Sequence, residues 1–174
     1  MASSPALSST DHVVLALLGE GPTHGFAIAR ELGPDGDLGR VLTVRRSLVY
    51  RSLDRLAERG LVESLHDEPG NAGPTRTVLR ATLAGRELTH RWLSRPSEHV
   101  RDLRIELLAK LRLLERAGTD PAGLVEAQRD ALATTLDRLS ELAPGSDVVD
   151  RWRSHNARAA AAFLDELSAG ARLR

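Results

Sequence analysis

The sequence predicts a mainly α-helical chain with one small β-hairpin set between two groups of helices. Three observations predict it. Alanine, leucine and arginine supply most of the mass and favour helix over a large sheet. From Thr43 to Arg80 an arginine-rich amphipathic stretch, a glycine stop, an extended run, a Gly/Pro/Asn loop and a second extended run follow one another. Beyond Ser97 the strand signal disappears and three Leu-striped helical stretches follow.

Residues 1–9 form a Ser/Ala/Pro arm, expected to be disordered, without the basic and apolar regions of a leader. Thr10 precedes a short apolar helix running from Asp11 to Leu18, which Gly19 and Gly21-Pro22 end and which reads as core. Thr23 can cap a second helix containing Phe26, Ile28, Ala29 and Leu32, before Gly33-Pro34-Asp35-Gly36-Asp37 breaks the chain. Thr43 can cap the third. There Val49, Leu53, Leu56 and Gly60 recur at the i, i+4, i+7, i+11 spacing of one buried stripe. Ser47, Tyr50, Arg51, Asp54, Arg55 and Glu58 fall on the opposite face, and Arg45 and Arg46 add charge at the first turn. Arg59-Gly60-Leu61 predicts a left-handed glycine cap, and Leu61-Val62 opens a strand toward Leu65. Asp67 to Pro74, with two prolines and two glycines, reads as the hairpin tip, and Arg76-Thr77-Val78-Leu79-Arg80 as the returning strand.

Thr82 can cap a fourth helix with Leu83, Leu88, Trp92 and Leu93, which Pro96 separates from the rest. The first later stretch carries Val100, Leu103, Leu107, Leu111 and Leu114 and ends near Gly118; the second opens with Asp120 as cap and Pro121 as first helical residue and runs toward Pro144-Gly145. The third carries Val148, Val149, Trp152, Ala159, Phe163 and Leu167. The expected organisation is an N-terminal winged helix-turn-helix over residues 10–95 and, over 96–174, C-terminal antiparallel helices forming a dimer arm. The plainer alternative for the second part is an intramolecular bundle.

Charge narrows the function. The chain is formally neutral, with 24 basic and 24 acidic side chains, yet between Arg40 and Gly60 six arginines face only Asp54 and Glu58, a local net of +4. A basic helix in a neutral chain points to nucleic acid, with contacts from a localised patch that salt weakens sharply. The rival is a winged helix that docks an acidic protein and binds no DNA. There is no cysteine, no two of the six histidines share the spacing of a helical metal site, and no nucleophile or phosphate-cradling loop stands out. Neither enzyme activity, a metal nor a cofactor is expected. No apolar run reaches membrane-spanning length, so no membrane partner and a cytoplasmic location are expected.

Several motifs in order resemble the PadR family of bacterial transcription regulators. Leu15-Ala16-Leu17-Leu18 followed by Gly21-Pro22-Thr23-His24-Gly25-Phe26 resembles the family's opening. Leu48-Val49-Tyr50, Leu53-Asp54-Arg55-Leu56 and Gly60-Leu61-Val62 resemble its recognition helix and first strand, while Gly73-Pro74-Thr75-Arg76 and Thr82-Leu83-Ala84-Gly85-Arg86 resemble its wing and fourth helix. His99 to Asp102, Glu106 to Leu111 and Trp152 resemble its longer branch, whose C-terminal helices pair two subunits. Arg51 stands where the family usually has proline, and in the wing only Arg76 carries over. The resemblance implies a homodimer that places two recognition helices on an inverted-repeat operator, usually to repress transcription. The expected DNA contacts are Arg45, Arg46, Ser47, Tyr50, Arg51 and Arg55 from the helix, and Asn71, Thr75 and Arg76 from the wing. Trp92 and Trp152 are the candidates for holding a small planar effector.

Overall fold

The computed structural model describes residues 6–70, 73–141 and 147–171. It divides into two compact units, Met1–Trp92 and Leu93–Arg174. The first helix of the N-terminal unit, α1 (Ser9–Glu20), starts before Thr10 and is capped by Ser8. Ser8 Oγ accepts from Asp11 N at 3.2 Å and Asp11 Oδ2 accepts from Ser8 N at 3.0 Å, a reciprocal capping box. The end of the expected arm thus belongs to the fold. Val13 through Leu18 are all buried, as befits a helix apolar on every side.

A two-residue strand, β1 (Thr23–His24), comes next and is too short to leave any periodicity in the sequence. It takes Thr23 away from the expected capping role: His24 Nδ1 accepts from Ala27 N at 3.0 Å and caps α2 (Gly25–Glu31) instead. The long connection then folds on itself through a 3-10 turn at Leu38–Arg40, and Val44 N reaches back to Leu32 O at 2.8 Å. Gly39 permits this, since a Cβ there would lie 1.7 Å from Gly33 O. Thr43 serves the same connection, donating from Oγ1 to Gly39 O at 2.8 Å, so it does not cap α3 (Arg46–Glu58), whose N-cap position is held by Arg45 without a side-chain bond.

Val49, Leu53 and Leu56 form the predicted buried stripe of α3, joined by Ser52. Gly60 stands exposed beyond it and ends the helix with φ +66°; Leu61 N bonds Leu56 O and Gly60 N bonds Ala57 O, both at 2.9 Å, the paired bonds of a Schellman motif. The antiparallel hairpin of β2 (Val62–Gly70) and β3 (Gly73–Ala81) completes a sheet in the order β1-β3-β2. The strands run farther than the sequence suggested: Asp67 pairs with Thr77, Glu68 with Arg76 and Gly70 with Gly73. Pro69 is tolerated because β2 is an edge strand and its register shifts between Glu68 and Gly70. Helix α4 (Leu83–Ser94) starts as expected, with Thr82 Oγ1 accepting from Gly85 N at 3.1 Å. It lies against the start of the hairpin so closely that a Cβ at Gly85 would sit 2.2 Å from Leu61 O.

One polar contact ties α1 to α3. Asp11, 3% exposed, accepts at Oδ1 from Ser52 Oγ and from Arg55 Nη2, each at 2.5 Å. Burial alone would push its carboxyl up, but the hydrogen bonds from Ser52, Arg55 and Ser8 prevail and lower its pKa to about 2.

In the C-terminal unit a 3-10 turn (Val100–Asp102) and a π-helical turn (Leu103–Leu107) lead into α5 (Leu108–Arg116). Gly118 ends it with φ +63°. Helix α6 (Ala122–Ser140) begins where Asp120 Oδ1 accepts from Ala122 N at 2.9 Å, and α7 (Val148–Ala171) packs along it. Leu103, Leu107, Leu124, Leu132, Leu136, Ala157 and Leu164 form the core. Two buried polar side chains brace the unit's first residues. Gln128 grips Ser97 at both backbone groups, accepting from its N at 2.7 Å and donating to its O at 3.0 Å. Lys110 Nζ donates to Arg95 O at 2.7 Å and to Glu106 Oε1 at 2.5 Å; burial pushes its pKa down and the Glu106 carboxylate opposes the shift. The predicted stripe of α7 is not what α6 covers: Val148, Val149, Trp152 and Phe163 are exposed, and Ser154, Ala157 and Leu164 face inward. Ser154 and Ala157 allow the close approach of the two helices with Leu164 beside them, while Val148, Val149, Trp152 and Phe163 stay outside.

The lowered carboxyl at Asp11 sets a pH dependence. Its stabilisation is complete above the ordinary carboxylate range and is lost as pH falls from about 4 through about 2, a change of roughly 2 kcal/mol. Chemical denaturation across that range should show Asp11→Asn less stable than the native chain near neutrality and the difference shrinking with acid; parallel curves at every pH would contradict the assignment.

Candidate nucleic-acid interface

Helix α3 turns its apolar side to α1 and α2, which leaves Arg45, Arg46, Ser47, Tyr50, Arg51, Asp54, Arg55 and Glu58 on the exposed side. The predicted helical contacts therefore share one surface. They are not equivalent. Arg55 has its guanidinium on the buried Asp11, with 44% of its side chain exposed, so much of its charge holds α3 in place. Arg51 makes no ion pair among the described residues, and Arg55 pairs with Asp11 rather than with its neighbour Glu58 on the same helix. Tyr50, 40% exposed, leans on Gly25: a Cβ at that glycine would meet the ring at 3.0 Å. Its ring thus closes the edge of the core and still faces outward.

The wing brings Arg76 to the same surface. From β3 its guanidinium carbon lies 5.0 Å from the ring centroid of Phe26, the second residue of α2. Arg46, in the first turn of α3, stands 5.1 Å from the same ring and 5.7 Å from that of Tyr50. Arg76 Nη1 also approaches His24 Nε2 at 3.3 Å. Because His24 Nδ1 accepts the α2 cap bond, a neutral ring carries its hydrogen on Nε2, and this approach is a close contact between two donors rather than a hydrogen bond. Thr75 is exposed beside Arg76, and Asn71 lies outside the described residues.

Phe26 and His24 were not among the sequence-predicted contacts. Phe26 sits in an apolar pattern that reads as core, and its 39% exposure appears only once β3 is placed beside α2. The two tryptophans lie in different surroundings. Trp92 belongs to the N-terminal unit, is 8% exposed and stacks on His12 with centroids 4.9 Å apart and planes within 3°. Trp152 stands 69% exposed on α7. Among the described residues no cluster of His, Cys, Asp or Glu could hold a metal ion, and no helix is long and apolar enough to cross a membrane.

None of the curated proteins matches the sequence. Among solved structures, Bacillus subtilis PadR in complex with operator DNA is similar at 16% identity and a TM-score of 0.47, over 91% of this chain and 97% of that one. The same protein in complex with p-coumaric acid gives 16% identity and a TM-score of 0.45, over 98% and 99%. The sequence itself is more specific. Residues 14–91, from the core of α1 through the hairpin into α4, match the family described as "Transcriptional regulator PadR-like family". Over that N-terminal stretch the chain carries a PadR-like transcriptional regulator domain.

Proposed function

We propose that the chain is a sequence-specific DNA-binding regulator that acts as a homodimer, represses transcription from an inverted-repeat operator and is released by a small planar effector. One observation carries the DNA reading: arginines from two separate elements, α3 and the wing, converge on one exposed face around Phe26 in a chain without net charge. Guanidinium forks suit both phosphate oxygens and the paired acceptors of guanine, so α3 can lie in the major groove while Arg76 grips the flanking backbone. Arg51, which has no ion-pair partner among the described residues, is the foremost base reader; Arg45, Arg46, Ser47, Tyr50, Asn71, Thr75 and Arg76 position or grip. Arg55 divides its charge between Asp11 and the DNA.

The exposed Val148, Val149, Trp152 and Phe163 of α7 support pairing of two C-terminal units, since an apolar face of large side chains is stable in water when a partner covers it. For the effector, Trp152 offers a free ring, whereas one face of Trp92 is taken by His12.

Binding to the protein's own upstream region should weaken linearly in log–log salt titrations. Arg51→Ala should cost about 1–3 kcal/mol on that sequence and relax specificity at one position without lowering Tm. Arg55→Ala should lower Tm as well, through Asp11. Failure to bind any duplex at low salt, together with capture of an acidic protein, would favour the interaction-module alternative.

Trp152→Glu combined with Phe163→Glu should halve the mass seen by sedimentation while leaving helicity intact, and should weaken operator binding. An unchanged mass would place the pairing surface elsewhere. Planar phenolic compounds titrated against the tryptophan fluorescence should quench Trp152 and lower operator affinity; a broad panel without effect would remove the effector from the reading.

A further inference from the structure

The cluster around Phe26 joins three elements that the chain delivers separately. Its ring comes from α2, Arg46 from α3 and Arg76 from β3, with the guanidinium carbons 5.1 and 5.0 Å from the ring centroid. Two like charges brought this near one another repel, and neither arginine has a carboxylate partner among the described residues to offset the repulsion. The electron-rich faces of one aromatic ring are what hold them. Gly25 keeps that ring in place: it starts α2 against Tyr50 and Leu53 of α3, where an added Cβ would meet each at 3.0 Å. His24 fixes the same turn through its cap bond and pairs with Val78 of β3. Phe26 is 39% exposed and absent from the hydrophobic core, so packing is not its main role.

We propose that Phe26 is a positioning residue that couples the recognition helix to the wing, setting Arg46 and Arg76 at a fixed separation so that both engage the DNA backbone together. This rests on the DNA reading above. The ring contributes no contact of its own to the nucleic acid. It lowers the cost of ordering two flexible side chains, which would otherwise be met at the moment of binding. The coupling depends on an aromatic face, so tyrosine should replace Phe26 and an aliphatic side chain of similar bulk should not.

The test uses the full-length protein and a random-sequence duplex at low salt. Arg46→Ala, Arg76→Ala and the double variant are compared in three backgrounds: native, Phe26→Leu and Phe26→Tyr. Phe26→Met serves as a second aliphatic variant if the leucine variant unfolds. Phe26→Leu should bind about threefold to tenfold more weakly with Tm little changed, and Phe26→Tyr should bind as the native chain does. The losses from Arg46→Ala and Arg76→Ala should be coupled in the native and tyrosine backgrounds and independent in the leucine background. In the Arg46→Ala, Arg76→Ala double variant, Phe26→Leu should cost nothing further. The same loss persisting in that double variant would show the ring touching DNA directly and overturn the proposal, as would native binding by Phe26→Leu. Native protein that binds no duplex at all overturns the DNA reading itself; native binding with independent arginines overturns only the coupling.

Discussion

The N-terminal unit depends on a carboxylate in its core. Asp11 is a costly residue to bury, and it is kept ionised there because four hydrogen bonds converge on it. Two come from Ser8 and fix where α1 begins; two come from Ser52 and Arg55 and fix where α3 lies against it. A hydrophobic contact would hold the helices together but tolerate rotation of one about its axis. A hydroxyl and a guanidinium aimed at a single oxygen do not, so the outward bearing of Arg45, Arg46, Tyr50 and Arg51 follows from the angle at which α3 meets Asp11.

Much of this architecture is legible in the sequence because it rests on local rules. The stripe of Val49, Leu53 and Leu56, the glycine stop at Gly60 and the Thr82 cap are each set by residues within a few positions of one another. What could not be read depends on partners far along the chain. Ser52 and Asp11 are 41 residues apart, and nothing near either announces the other. Phe26 looks like core until β3 arrives beside it. The errors in capping have a common origin: Ser8, Thr23 and Thr43 are all suitable residue types, and tertiary contacts decide which one is used. Thr23 is claimed by the sheet and Thr43 by Gly39. The strands outrun what proline and glycine predict as stops, because an edge strand with a register shift accommodates both.

In the C-terminal unit the periodicity located the helices but not their orientation. The stripe of large apolar residues on α7 is expected to face a second copy or the neighbouring helices, and it is Ser154, Ala157 and Leu164 that face inward, leaving Val148, Val149, Trp152 and Phe163 exposed. The unit spends its most unusual side chains on its own first residues: the Gln128 amide mimics a strand partner for Ser97, and Lys110 caps the carbonyl of Arg95. Both are fully buried and hydrogen-bonded, a degree of specification that apolar packing alone does not give.

Lys110 is the only lysine in the sequence, and the fold hides it. Every cation on the reading face is consequently an arginine, which stays protonated throughout the physiological range and offers no amine to acetylating enzymes. The arginine charge of that face is thus permanent, indifferent both to the acidity of its surroundings and to the metabolic supply of acyl groups. In the proposed dimer, control of the grip on a polyanion falls to geometry, through the spacing and orientation of two such faces.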